Sequence, residues 1–357
     1  MPKSCTVLVD DQRFQAKRGD ILLDSALING IEIPHDCRSG HCGTCQIRIL
    51  KGLALGGEAS SNGMVRACQA RIITDLDVLV EPVPDVVSTR GIVTGLRPLS
   101  PDVVELRVSL AKPVAYIPGQ YYRFRFRGFP ARCFSPTAPM IPSGGGRDGS
   151  AIRLHVRRIA GGKVSSALGV QINKGHPVKL EGPFGNAYLR PGQTGRLVLI
   201  SSGTGFAPIW SIAKAALAEN PERRIVLVIS SRTPESLYMR PAARWLKDQR
   251  HVLLIPVVDK LAEGASSALR AGRPTDHMPA LRASDTVYAC GAPMMVEAVK
   301  ARAVRAGASF YADPFVPQTD ELHDSLFSWA MDRLGNLIPA PNLPGLSAPV
   351  LRLERLR

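Results

Sequence analysis

Cys37-Arg-Ser-Gly-His-Cys42-Gly-Thr-Cys45 sets three thiols within one short stretch, and Cys68 follows as a distant fourth. C-x4-C-x2-C with a remote cysteine is the spacing by which four thiolates hold the two irons of a [2Fe-2S] cluster. A structural zinc site, the alternative, draws on two compact Cys-x-x-Cys pairs rather than three clustered ligands and one far away. Gly40 and Gly43 suit a loop that wraps tightly and aims backbone N–H groups at sulfur. Of the seven cysteines, Cys5, Cys133 and Cys290 stand alone. A reducing compartment argues against reading the other four as disulfides.

Upstream, residues 6–9 have strand character, and Asp20 can cap a helix over 21–29 that Gly30 ends. Downstream, the loop runs into a strand over 46–50. In Glu81-Pro-Val-Pro-Asp-Val-Val-Ser, two prolines two residues apart exclude helix and central strand, so 81–88 reads as a linker. Beyond it, β-rich segments at 103–110, 121–126, 152–159 and 178–181 recur between Pro/Gly turns, the spacing of an antiparallel barrel. From Arg196 the pattern changes. Buried strands at 197–200, 225–229, 252–258 and 286–289 alternate with helices at 207–218 and 293–306, which implies a parallel sheet with helices on both faces. The expected chain is multidomain, α+β and then α/β, divided at 1–84, 88–192, 195–312 and 313–357. In the last part Thr319 or Asp320 can cap a helix bearing Leu322, Leu326, Met331 and Leu334, ended by Gly335 and followed by a Pro-rich segment and an Arg-rich end. The Gly/Ser/Pro stretch 142–150 reads as a flexible loop.

With 357 residues and 45% hydrophobic composition, the chain can bury two or three cores. Its net charge of +15 suggests an acidic partner, whether protein, anionic cofactor or nucleic acid. Arg123, Arg125 and Arg127 alternate along a strand and so share one face, read as solvated. His35, Asp36 and His41 beside the cysteines read as surface groups. The N-terminus lacks a signal-peptide pattern and the longest apolar runs are strand-sized, so a cytoplasmic location without membrane contact is expected.

The cysteine loop resembles the plant-type ferredoxin module of oxygenase-coupled NAD(P)H-dependent reductases, and further motifs extend the resemblance to about residue 317. Arg132-Cys-Phe-Ser135 is similar to the family's Arg-x-Tyr-Ser flavin motif. The resemblance implies Arg132 at the FAD pyrophosphate, Phe134 stacked on the isoalloxazine and Ser135 near N5, roles that suit a guanidinium fork and an apolar ring. Phe134 replaces the usual tyrosine, which loses a phenolic hydrogen bond. Gly161-Gly162-Lys-Val164-Ser165-Ser166 matches a Gly-x-Val-Ser segment whose backbone donors and hydroxyl bind pyrophosphate where a helix begins; Ser165 could equally be a helix cap. Gly182-Pro-Phe-Gly185 resembles the turn that closes the flavin barrel.

Ser202-Gly203-Thr204-Gly205-Phe-Ala207-Pro208 resembles the family's Gly-Thr-Gly-x-Ala-Pro nicotinamide site. It follows a buried strand and opens a helix, the context in which backbone N–H groups meet a pyrophosphate. Cys290-Gly291-Ala-Pro293 is similar to a Cys-Gly-x-Pro motif whose cysteine aligns the nicotinamide; the other reading is a buried core thiol. Ser231, Arg232 and Tyr238 stand where the family contacts the adenosine ribose, and Phe315 where it can pack near the flavin.

The resemblance implies a β-grasp ferredoxin module, an antiparallel flavin-binding β-barrel and a parallel-sheet nicotinamide-binding domain, carrying a [2Fe-2S] cluster, FAD and NAD(P)H. Only 22 residues separate Cys45 from Cys68, fewer than in the family. Ser135 and Cys290 are the expected catalytic groups, and no side-chain nucleophile is needed. The expected acceptor is an acidic ferredoxin or oxygenase component of aromatic-compound degradation. The alternative is a redox sensor acting on a regulatory protein partner such as a transcriptional activator. Direct nucleic-acid binding is the weakest reading, because charge alone gives only non-specific affinity.

Overall fold

Alternating burial builds the first sheet. In the computed structural model, which describes residues 4–57, 63–137, 150–261, 264 and 266–316, Cys5, Val7 and Val9 of strand Ser4–Val9 are buried while the residues between them are not. This strand pairs antiparallel with Gln12–Lys17 and parallel with Leu76–Val80, and Gln46–Lys51 and Met64–Arg66 complete five strands. Leu22, Leu23 and Ala26 of helix Leu22–Ile28 fill the hollow of the sheet, the β-grasp arrangement. The cap expected of Asp20 is not made. Its Oδ2 accepts from the Lys17 N–H at 3.1 Å, which closes the preceding turn, and the helix starts after Ile21 with no side-chain cap.

Six antiparallel strands form the second sheet, in the order Arg132–Phe134, Tyr121–Phe126, Pro177–Phe184, Val87–Pro98, Val103–Leu110, Ala151–Arg157. A bridge from Pro136 to Leu154 joins its two ends and nearly closes the barrel. Strand Val87–Pro98 begins inside the segment read as linker. The prolines bar the ladder only through Pro84, and Val87 already pairs with Gly182.

The third sheet is parallel throughout, ordered Arg270–Ala271, Val252–Val258, Ile225–Ser231, Leu197–Ser202, Thr286–Gly291, Ser309–Pro314. Its two faces divide by residue parity. Leu197 and Leu199 pack with helix Phe206–Glu219, whereas Val198 and Ile200 pack with helix Pro293–Arg305. The chain starts at a central strand, works out to one edge, then returns to the other side. The switch point therefore falls between Leu197–Ser202 and Thr286–Gly291, where ligands bind in such sheets. The edge strand Ser309–Pro314 and helix Arg240–Lys247 were not expected from the sequence. The loop at 142–149 and the helix after Thr319 lie outside the described residues. Among those residues no helix is long and apolar enough to cross a membrane.

Candidate functional site

The cluster loop leaves the helix of the first sheet and enters strand Gln46–Lys51 at Cys45. Cys68 lies in the turn after Met64–Arg66, tied to the loop by Ala67 N–H to the Cys45 carbonyl at 2.9 Å. Backbone N–H groups of Ser39 and Cys42 both reach Cys37 Sγ at 3.4 Å, and Thr44 N–H reaches Cys42 Sγ at 3.5 Å. Gln69 Nε2 approaches Cys68 Sγ at 3.8 Å. The sulfurs meet as two pairs. Cys42 hydrogen-bonds Cys37 and pulls its pKa down, and Cys45 does the same for Cys68; the donors Cys42 and Cys45 are raised in turn.

Pairing is what distinguishes a two-iron cluster from one zinc. Among the described residues, no three His, Cys, Asp or Glu side chains converge on one point. Two thiol pairs, each able to hold one iron and each met by N–H donors, fit the [2Fe-2S] group. Cys37 is exposed, whereas Cys45 and Cys68 are buried, so the loop presents one end of this centre to solvent. At Gly43, φ is +69° and a Cβ would stand 3.1 Å from Asn186 Cβ, so glycine avoids both a strained backbone and a tight contact.

The flavin strand Arg132–Phe134 is an edge of the barrel, with Phe134 opposite Tyr122 and Arg132 opposite Phe124. The Phe134 ring is half-buried, 5.9 Å from Phe124. Ser135 is buried and its hydroxyl lies 3.3 Å from Asp313 Oδ2. A guanidinium, an aromatic ring and a hydroxyl in this order fit FAD. The segment from Gly162 to Ser166 forms successive turns rather than a helix start. Ser165 Oγ accepts from Ile159 N–H at 3.1 Å, and Ser166 bonds back to Gly162. Gly161, Gly162 and Gly169 leave too short a run to nucleate a helix, and the Val164 side chain is sunk in the barrel core.

Gly203–Gly205 is a tight turn at the carboxyl end of Leu197–Ser202, and Ala207 and Pro208 lie buried in the first turn of the helix that follows. A Cβ on Gly205 would stand 2.1 Å from the Cys290 carbonyl oxygen, so only glycine lets the two switch-point turns touch. Beside them opens a cavity of about 350 Å³, lined by Gly203, Phe206, Ser230, Tyr238 and Arg240 among others. Tyr238 has a buried hydroxyl with no partner among the described residues. A glycine turn, an orphaned phenol and an apolar wall fit a nicotinamide dinucleotide. Ser231 instead turns its hydroxyl to the Thr233 carbonyl at 2.6 Å, and Arg232 is exposed and outside the lining of this cavity. A larger cavity of about 800 Å³ lies at the opposite, amino ends of the strands and contains none of the expected site residues. Position at the switch point outweighs size here.

Cys290 is fully buried, which pushes its thiol up and keeps it neutral. Parallel pairing sets Asp313 opposite Cys290. Burial raises the Asp313 carboxyl to about 7, against the Ser135 hydrogen bond that lowers it. Ser135, Cys290 and Asp313 thus gather where barrel and parallel sheet meet. Phe315 is half-buried, and its N–H bonds the Gly291 carbonyl at 2.8 Å, which draws the segment after strand Ser309–Pro314 onto the same turn. Asp313 escaped sequence reading, because nothing near Tyr311-Ala-Asp-Pro marks it until the strand pairing is known. Arg157 also escaped. It reaches from the barrel to the glycine turn, where a Cβ on Gly203 would meet its guanidinium at 2.9 Å.

Three family models match: a 2Fe-2S iron-sulfur cluster binding domain over 5–72, an oxidoreductase FAD-binding domain over 91–188 and an oxidoreductase NAD-binding domain over 199–301. The reductase component of the naphthalene 1,2-dioxygenase system of Pseudomonas putida, a ferredoxin–NAD(P)+ reductase, is 31% identical over 318 residues, 84% of this chain and 94% of its own. The corresponding naphthalene 1,2-dioxygenase/salicylate 5-hydroxylase reductase of Ralstonia is 32% identical over 324 residues, 85% of this chain and 96% of its own. The crystal structure of an Amycolatopsis cytochrome P450 reductase superposes with a TM-score of 0.64 at 28% identity, covering 88% of this chain and 99% of its own. Cysteine pairs, flavin strand and glycine turn occur in the order of these three matched domains: the chain belongs to the oxygenase-coupled ferredoxin–NAD(P)+ reductase family, oxidoreductases that carry electrons from NAD(P)H through FAD to a 2Fe-2S centre.

Proposed function

We propose that this protein is the reductase of a multicomponent oxygenase acting on aromatic compounds, and that it delivers single electrons from the exposed end of its cluster loop to an acidic ferredoxin or oxygenase component. The meeting of Ser135, Cys290 and Asp313 carries the proposal, because it joins the flavin strand to the nicotinamide turn. When bound, the nicotinamide supplies a hydride, the flavin divides it into single electrons and the cluster accepts them one at a time.

The protein's own groups do the rest. Arg132 would meet the FAD pyrophosphate and Phe134 would cover the ring, while the Gly203–Gly205 turn with Arg157 would hold the dinucleotide phosphates. Cys290 offers a neutral, compact wall for the nicotinamide. Asp313 Oδ2 accepts from Ser135 Oγ at 3.3 Å, and burial raises this carboxyl to about 7, so it can take up or give a proton near neutral pH. The Pseudomonas and Ralstonia relatives are reductase components of naphthalene dioxygenase systems, and the net charge of +15 suits an acidic acceptor. The regulatory alternative gains nothing, since Phe134 and the shortened stretch before Cys68 leave both thiol pairs and the glycine turn in place.

Anaerobic stopped-flow reduction of the holoprotein with NADH and then NADPH tests this reading, with flavin and iron-sulfur absorbance followed separately. Flavin bleaching followed by cluster bleaching is expected. Absence of both phases in protein that retains its cofactors overturns it. Reduction of an acidic ferredoxin should slow as ionic strength rises, while reduction of the flavin should not.

A further inference from the structure

Asp36 immediately precedes the first cluster cysteine, and in the sequence it reads as a surface group. Its side chain is only 6% exposed. Tyr121 donates its hydroxyl to Asp36 Oδ2 at 2.5 Å, and Arg123 donates to Oδ1. Arg123 also bonds Glu181 at 3.1 Å and lies 5.1 Å over the Phe184 ring, so the arginine read as solvated is committed to a seam between two sheets. Further along the same loop, Thr44 Oγ1 accepts the Gly185 N–H at 2.9 Å, and Gln46 accepts from Asn186. Every one of these barrel partners comes from strand Tyr121–Phe126 or from the end of its neighbour Pro177–Phe184 and the turn beyond.

The register makes the seam relevant to electron flow. Tyr122, next to the residue that grips Asp36, pairs directly with Phe134 of the flavin strand. The connection from Cys37 through Asp36, Tyr121 and Tyr122 to Phe134 therefore uses peptide links, one short hydrogen bond and one ladder position. A buried carboxylate with both oxygens occupied holds its place far better than a solvated one. We propose that Asp36, gripped by Tyr121 and Arg123, is the positioning residue that fixes the cluster loop against the flavin barrel and sets the rate of electron transfer from flavin to cluster. The assignment rests on the electron-transfer reading above. One hydride delivers two electrons, which leave the flavin singly for the cluster and pass to two equivalents of the oxidised ferredoxin or oxygenase component, and one proton is released to solvent.

The test uses full-length holoprotein carrying Asp36→Asn, with Arg123→Lys as the conservative counterpart. Stopped-flow reduction by NAD(P)H should show flavin bleaching within about twofold of the parent and cluster bleaching slowed on the order of tenfold, because a loop freed from the barrel spends time at longer flavin-to-cluster separations. The cluster midpoint potential and EPR spectrum should be unchanged, and Arg123→Lys, which keeps a cation against Asp36, should retain most of the parent rate. Hydrogen exchange at the Gly185 and Thr44 amides should quicken. An unslowed cluster phase overturns the proposal. So does slowing that coincides with a shifted potential or lost cluster, which would mean that Asp36 acts on the cluster itself. Should Asp36→Asn fail to fold, Tyr121→Phe removes one grip while leaving every residue of the cluster loop unchanged, and the same outcomes decide. If the parent protein shows no reduction at all, the functional reading has failed, and hydrogen exchange alone still reports whether the seam holds the loop.

Discussion

The cluster loop and the nicotinamide turn are assembled in opposite ways. Three of four cluster ligands, with the N–H donors that serve them, come from residues 37–45, and the fourth follows a strand that pairs with the strand leaving that loop. The nicotinamide turn is made by convergence, with Ser135 from the barrel, Gly205 from the turn after one parallel strand, Cys290 from a second strand and Asp313 from a third. The first site is held chiefly by its own loop, whereas the second exists only once the sheet has registered. Damage should therefore stay local in the first and spread in the second.

The largest separation between the two sites should come from Cys68→Ser. It is expected to abolish the iron-sulfur absorbance and EPR signal while leaving NAD(P)H reduction of the flavin within about twofold, since among the described residues the hydrogen-bond partners of the Cys68 thiol are Gly40, Cys45 and Gln69. Loss of both activities together would show that the loop is less independent than its local construction implies.

Asp313→Asn should act only on the second site, slowing flavin reduction by about a hundredfold with cluster content unchanged. The parent rate should change with an inflection near the raised value of about 7, and the variant should lose it. Stability gives a second reading with a definite sign. Asp313 moves from an ordinary 3.8 to about 7 on folding, so its contribution is complete below the lower value and lost as pH rises through the higher one. The urea midpoint of the parent should fall from pH 5 to pH 8 by more than that of Asp313→Asn.

Gly205→Ala should have a smaller effect. Its Cβ meets the Cys290 carbonyl at 2.1 Å, so the two turns must part. A cost of about 1–3 kcal/mol is expected from overpacking, visible as weaker NAD(P)H binding by titration. Wild-type affinity in this variant would mean that the turns need not touch.

The same contrast governs what could be read from sequence. The thiol spacing, the glycine turn and the strand–helix alternation are local patterns, and each appears in the structure close to where it was expected. Asp313 was invisible because its partner Cys290 is far away in sequence and meets it only through parallel pairing. Arg123 shows a different limit. Alternation correctly places it on one face of a strand, but no period records that the cluster loop covers that face. Strand Val87–Pro98 was obscured at its start because prolines at 82 and 84 dominate the local signal, although their effect ends before Val87.

Gly43, Thr44 and Gln46, which meet the barrel, are interleaved with Cys42 and Cys45, which meet the cluster. One stretch of chain thus serves as both socket and plug. A ferredoxin domain transplanted from another protein would bring a sound metal centre yet lack the surface that seats it, and the chimera would be chemically complete but electrically disconnected. Exchange of such domains between reductases requires the barrel's Tyr121, Gly185 and Asn186 to travel with the loop they receive.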